Sequence, residues 1–281
     1  MAHSDSETNA AAEAIERDAY RALLSRVGSR ALRDRVGARA EDCGPALILR
    51  CRGLDHVLFN RTFGVDAAGP ASVILAESAV ARYRAQRISR YFVHLHAESA
   101  ELPLLREALS GLGLVRYPRV WHRFVRGREP VQRRDCPFTI GRAQPGEAAP
   151  LAALLVRGFE LPEAALGLLA AALGDPAFHG YTARDSDGRP VAALLLYVRG
   201  DLAHVTAVAT ELAQQGRGAQ AALLARVLAD ALELGCRQVS AETGAPIADE
   251  PNPSYRNLER AGFRFAHAIE HWAERGVRFG A

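Results

Sequence analysis

The sequence predicts an α/β chain built from two related tandem domains, and three observations carry that prediction. Along its 281 residues, runs with strand-like alternation take turns with runs whose apolar residues recur at helical spacing. The order helix, strand, helix, then glycine plus a large apolar residue occurs twice, closing at Gly113-Leu114 and at Gly262-Phe263. In each case a glycine opens the block at the same distance, Gly69 and Gly218 (113 − 69 and 262 − 218 are both 44). Each block ends in a strand holding a tryptophan, Trp121 or Trp272.

Residues 10–38 have Ala, Leu and Val spaced for one helical face, with a break near Gly28. Strands are predicted at 46–51 and 56–63, a helix at 71–86, a strand at 91–96, a helix at 103–111 and a strand at 115–125. GREPVQRRDCP, polar and bounded by prolines, reads as a linker. Beyond it come a strand at 138–142, helices at 147–158 and 162–173, and strands at 178–184 and 190–198 around the hairpin signal DSDGRP. Strand 202–210, helix 217–234 with Gly235 as its C-terminal cap, strand 237–242, helix 253–261 and strand 263–272 complete the chain. The predicted division is an N-terminal helical segment 1–40, a first domain 41–127, a linker 128–137 and a second domain 138–281.

Composition narrows the function. A hydrophobic content of 49% with 24% charged residues is that of a globular protein. No apolar run reaches the roughly 20 residues that span a bilayer, and the N-terminus lacks a basic start followed by an apolar stretch. Four cysteines at 43, 51, 136 and 236 form no metal-ligand spacing. A cytoplasmic protein with no metal and no membrane contact is therefore expected. All 35 basic residues are arginine, which fits the codon bias of a GC-rich bacterial genome, and a net charge of +3 is too small to argue for nucleic acid. Whether the chain is a monomer or a homodimer stays open.

The most informative segment is HVTAVATELAQQGRGAQ, residues 204–220. A strand delivers its end through Gly216 and Gly218 onto a helix N-terminus. Unpaired N–H groups and the positive end of the helix dipole suit an anion there, and glycine lets it approach the backbone. The first block has GVDAAGP at this place, and Pro70 removes an N–H donor, so no such ligand is expected in it.

These residues resemble the GNAT superfamily of acyl-CoA-dependent N-acyltransferases. Its signature Gln/Arg-x-x-Gly-x-Gly/Ala is similar to Gln215-Gly216-Arg217-Gly218-Ala219-Gln220, with a departure at Gln220. A second motif resembles Asn252 through Gly262-Phe263. The likeness covers about residues 138–272, and the first half resembles the degenerate copies in tandem GNAT proteins. It implies two GNAT-like domains, each a mixed, mostly antiparallel twisted sheet flanked by helices. It also implies acetyl-CoA, or another acyl-CoA, as co-substrate. The pantetheine arm would lie along Val208, Ala209 and Thr210, and the pyrophosphate on the N–H groups of Gln215, Gly216, Arg217, Gly218, Ala219 and Gln220. Ser254 and Asn257 either bond the pantetheine amides or cap the short helix.

An ammonium cannot attack a thioester, so the reaction needs a base. His204 lies 14 residues before Gly218, as does a proton-accepting histidine in arylalkylamine N-acetyltransferases, and imidazole titrates near neutrality. The plainer reading is a packed strand histidine. The family's tyrosine acid, four residues before the final glycine, is replaced by Leu258; Tyr255, one turn away, is the substitute or a packing residue. Glu242 and Glu211, at strand ends, are candidates for a base or for binding the substrate ammonium. Asp249 and Glu250 would form an acidic rim. His94 and His96 share a strand face without an evident third metal ligand.

The expected function is transfer of an acetyl or other short acyl group from acyl-CoA to a primary amine, most simply a small molecule. The alternatives are a non-catalytic acyl-CoA sensor and, with less support, an aminoacyl-tRNA-dependent transferase.

Overall fold

The computed structural model describes residues 2–278 apart from 133 and 249. In chain order the elements are α1 (Ala2–Ser25), α2 (Arg30–Val36), β1 (Ala38–Cys43), β2 (Ala46–Cys51), β3 (Arg61–Phe63), α3 (Ser72–Ala85), β4 (Phe92–His96) and α4 (Leu102–Gly111). They continue with β5 (Val115–Arg116), β6 (Trp121–Arg126), β7 (Thr139–Arg142), α5 (Ala148–Gly158), α6 (Ala165–Ala172), β8 (Phe178–Arg184) and β9 (Pro190–Arg199). The last are β10 (Leu202–Thr210), α7 (Ala219–Glu233), β11 (Gln238–Gly244), α8 (Pro253–Arg260) and β12 (Arg264–Ala273).

The chain forms two compact units that are not sequential. A major unit combines the residues up to 19 with 123–266, and a minor unit combines 20–122 with those from 267 on. Within the major unit the strand order is β6-β11-β10-β9-β8-β7. Strands β8, β9 and β10 run antiparallel, and β11 joins β10 in parallel. The minor unit repeats that scheme: β1, β2 and β3 antiparallel, then β4 parallel to β3, with β12 and β5 following antiparallel. In each unit the strand pairing is thus mixed and mostly antiparallel.

Each unit has its own core. In the major unit α7 presents Ala219, Leu223, Leu224, Val227 and Leu228 at i, i+4 and i+8 spacing to β7, β8, β9 and β10. Each such buried leucine contributes about 2 kcal/mol, which anchors the helix whose N-terminus follows the glycine loop. In the minor unit α3 and α4 pack Ala76, Val80, Leu105 and Leu109 on Ile48 and Val93. The glycines at 113 and 262 behave alike. Each has a φ of 84°, and the next residue, Leu114 or Phe263, donates its N–H five residues back into the preceding helix.

Three local expectations are corrected. The strand expected at 56–63 is confined to 61–63, because the Asn60 side chain ties down the segment before it. Asn60 accepts from Cys51 N at 2.6 Å and donates to the Leu54 and His56 carbonyls, offering the backbone a turn in place of a ladder. The strand expected at 115–125 is interrupted at Tyr117–Val120, where Pro118 has no N–H to donate. Strand β1 was not expected at all: its residues ARAEDC are polar, and among the described residues it pairs with β2 alone, as a charged edge strand.

Candidate active site in the major unit

The parallel ladder between β10 and β11 is short. Leu202, Ala203 and His204 pair with Gln238, Val239 and Ser240. Beyond that point β10 continues to Thr210 and β11 to Gly244, with no further ladder between them among the described residues. On its other edge β10 stays bonded to β9, with a register shift between Val205 and Ala207. A bulge of this kind bends a strand and increases its twist. Val208, Ala209 and Thr210 face Leu194, Ala193 and Ala192 of β9, so the edge they turn toward β11 is the open one.

Beyond Thr210 a 3-10 turn, Leu212–Gln214, leads to Gly216 and Gly218, at φ 75° and 89°. Gly218 is the N-cap of α7. A left-handed backbone here costs an ordinary residue about 1–2 kcal/mol, which accounts for both glycines. A side chain on Gly216 would meet nothing within 4 Å, whereas one on Gly218 would lie 3.4 Å from Cys136 Cβ and 3.8 Å from the Asp135 carbonyl, so the loop is open at Gly216. The first N–H groups of α7 have no carbonyl partner within the helix itself. The loop therefore fits a pyrophosphate, and the gap between β10 and β11 fits an extended arm with amide groups.

The side chains around the loop are partly committed. Arg217 bonds Gln214 Oε1 and stacks its guanidinium over Phe138, 5.1 Å from the ring centre. Gln215 Nε2 reaches the Thr210 carbonyl at 3.4 Å, and Ala219 is buried against the core. Gln220, the departure from the family pattern, is a clamp. Its amide oxygen accepts from Asn257 Nδ2 at 2.8 Å, and its Nε2 donates to Ser254 Oγ at 3.2 Å. Ser254 and Asn257 thus lie beside the loop, held to α7 by the residue that replaces a small one. Asn252 caps α8 by accepting from Tyr255 N at 3.1 Å, and its amide donates to Gly244 O, fixing the helix start to the end of β11.

His204 is fully buried at the last β10–β11 pair, and its Nδ1 lies 2.9 Å from Ser240 Oγ. Ser240 Oγ is also 3.4 Å from the Ala203 carbonyl. A hydroxyl has one proton. Directed at that carbonyl, it leaves an oxygen lone pair for Nδ1–H, the tautomer whose basic nitrogen is Nε2. Ser240 was not singled out from sequence, because nothing there gives the register of a parallel pair.

The remaining candidates have defined surroundings. Tyr255 packs edge-on against Phe124 at 4.9 Å, and burial with the nearby Glu259 raises its phenol above the ordinary range. Leu258 is buried in the core. Glu211 pairs with Arg157 at 3.3 Å and with Arg189 at 3.2 Å. Glu242 lies 3.6 Å from Arg123, whose guanidinium also meets Glu16 of α1. Sequence reasoning passed over both Arg123 and Glu16: the only signal was an acid on the apolar face of the N-terminal helix. Asp249 lies outside the described residues, and Glu250 is exposed.

In the minor unit His94 meets His271 at 4.4 Å between ring centres, and His96 meets His267 at 4.0 Å. No group of three or more metal-ligating side chains occurs among the described residues. Nor is any described helix long and apolar enough to cross a membrane. Trp121 and Trp272 are both buried in the minor unit.

The profile of the family described as "Acetyltransferase (GNAT) family" matches residues 151–263, which span α5 to the start of β12. No curated protein matches the chain. Among solved structures, a GCN5-related N-acetyltransferase from Kribbella flavida is 20% identical with a TM-score of 0.60, over 85% of this chain and 90% of that one. Another from Sphaerobacter thermophilus is 18% identical with the same TM-score, over 86% and 84%. A tandem GNAT protein from the clavulanic acid biosynthesis pathway is 15% identical with a TM-score of 0.53 and covers 98% of this chain and 97% of its own. At these identities the likeness is one of fold. Residues 151–263 thus match the GNAT acetyltransferase family, and the chain as a whole is similar in fold to a tandem GNAT protein.

Proposed function

We propose that the protein is an acyl-CoA-dependent N-acyltransferase that moves an acetyl or other short acyl group to a primary amine by direct attack. The observation that carries this reading is the junction of β10 with α7. A strand that parts from its neighbour at His204 runs straight into a left-handed glycine loop on a helix N-terminus.

When bound, acyl-CoA supplies an acyl carbon activated as a thioester. The N–H groups from Gln215 to Gln220 hold its pyrophosphate, and the open edge of Val208, Ala209 and Thr210 holds the pantetheine amides. The chain's own task is to manage the amine's proton. His204 Nε2 accepts it, and Ser240 keeps the ring oriented through Nδ1. The amine lone pair then forms the bond to the acyl carbon as the carbon–sulfur bond breaks. The thiolate leaves with a proton from Tyr255 or from water, which regains one from the attacking nitrogen as the amide forms. Binding and general-base assistance together account for catalysis without a metal. The acceptor is a small-molecule amine, and neither nucleic acid nor a membrane takes part.

Leu258 at the usual place of the acid, buried in the core, favours a second reading in which the protein binds acyl-CoA without turnover. Release of CoA thiol from acetyl-CoA, measured against a panel of primary amines, decides between them. Amine-dependent thiol release supports the transferase. Saturable acetyl-CoA binding without release from any amine supports the sensor.

A further inference from the structure

Two carboxylates meet one guanidinium inside the major unit. Arg123 on β6 is 1% exposed, Glu16 on α1 is 0% and Glu242 on β11 is 8%. The Arg123 Nη2 contacts Glu16 most closely and lies 3.6 Å from Glu242, beyond hydrogen-bond reach. Its Nη1 donates to the Ala12 carbonyl at 3.3 Å. Burial works against the charge of Arg123, and Glu16, Glu242 and Glu13, in that order, more than restore it. One cation is thus shared unequally, with Glu16 taking the larger part.

Glu242 is well placed to use what remains of its charge. It lies two residues beyond Ser240 on β11, on the same strand face, about 7 Å along the strand. Ser240 carries the hydroxyl that meets His204. Glu242 therefore stands where β10 and β11 part, on the side of the sheet that bears His204. The helix that brings Glu16 is fixed: Ala12, Ile15 and Ala19 are buried, and Gln238 Nε2 donates to the Thr8 carbonyl at 2.8 Å.

We propose that Glu242 receives the acceptor as an ammonium beside His204, and that Glu16, acting through Arg123, sets how strongly it does so. The acceptor class is then a cationic amine, and α1 is a working part of the site. Glu16 is a positioning residue. While it occupies Arg123, the Glu242 carboxylate keeps its hold on an ammonium; with Glu16 neutral, the guanidinium turns more of its field on Glu242. The inference rests on the acyl-transfer reading.

The test is titration of n-butylamine into CoA-saturated protein at pH 7, followed by NMR, with 1-butanol as the uncharged control. Glu16→Gln weakens butylamine about fivefold and Glu242→Gln about tenfold, and the double variant is no weaker than Glu242→Gln alone, since Glu16 acts only through Glu242. Butanol binding does not change in any of them. The proposal is overturned if Glu16→Gln leaves butylamine affinity unchanged, if the two substitutions add, or if the wild type does not prefer butylamine to butanol. A Glu16 that served stability alone would lower the melting temperature and affect both probes equally, which overturns it too. Calorimetry with acetyl-CoA separates the two levels. Intact donor binding with amine-insensitive variants removes this proposal only, whereas loss of donor binding in the wild type removes the acyl-transfer reading with it.

Discussion

The junctions β10–α7 and β3–α3 share one topology and differ where an anion would sit. Each strand stands between an antiparallel neighbour and a parallel one, and each feeds a helix through a glycine-containing segment. Strand β10 is nine residues long and outruns its parallel ladder, whereas β3 is three residues long and stops at Phe63. Gly218 caps α7 directly, at φ 89°. Before α3 there is instead a 3-10 turn, Gly69–Ala71, in which Pro70 has no N–H. The Asp66 carboxylate also accepts the His96 N–H of β4, so a negative group already occupies that loop. The comparison teaches that the sheet order is scaffold common to both units. Left-handed glycines occur at both junctions, Gly64 and Gly69 in the minor unit and Gly216 and Gly218 in the major one. The β10–α7 junction is therefore set apart by its extra strand length and by a glycine that caps the helix directly, with no proline at the helix start.

The sharpest break between the units is chemical. His204 sits at the end of the parallel ladder in the major unit, and the corresponding ladder of the minor unit pairs Arg61 with Phe92 and Thr62 with Val93. Removing the base with His204→Ala lowers kcat by about 10²–10⁴ and leaves acetyl-CoA affinity within about twofold. Unchanged kcat at neutral pH takes His204 out of the mechanism.

Acid separates the units next. His56, fully buried in the minor unit, has its imidazole pushed down to about 4, first by burial, then by Arg90 and Arg61. Its Nδ1 accepts from Leu58 N at 3.2 Å, which needs the neutral ring. The unfolded chain takes a proton near pH 6.5 and the folded one does not, so stability is full above 6.5 and falls as pH drops toward 4. That loss amounts to about 3 kcal/mol from this group. Melting curves of wild type and His56→Asn, whose amide oxygen keeps an acceptor for Leu58 N, should converge across that window. Parallel curves contradict the assignment.

The smallest expected effect lies at the clamp beside the loop of the major unit. Gln220→Ala releases Ser254 and Asn257 from α7. Loss of two hydrogen bonds lowers stability by about 1–3 kcal/mol and changes acetyl-CoA affinity only a few-fold. A larger loss of affinity would make Gln220 a ligand contact rather than a clamp.

Much of this was legible in the sequence because it rests on local chemistry. The apolar stripe of α7, the alternation of β10 and the glycines at 113, 216, 218 and 262 each declare a backbone state within a few residues. The second family motif placed α8 beside the loop for the same reason. What stayed hidden depends on contacts distant in sequence. The Asn60 turn relies on a bond to Cys51, the His204–Ser240 pair on a parallel register, and the Glu16–Arg123–Glu242 group on three elements more than 100 residues apart. The exchange of the chain's two ends between the units has no local signature either.

The central claim is that one unit binds the acyl donor, through the left-handed glycine loop before α7. Calorimetry with acetyl-CoA on the wild type, Gly218→Val and Gly69→Val tests it most directly. Both glycines have positive φ, so both substitutions strain the backbone, and only affinity separates them. The account predicts one site per chain, lost at least tenfold in Gly218→Val and kept in Gly69→Val. Two sites per chain, or affinity retained in Gly218→Val, would contradict it.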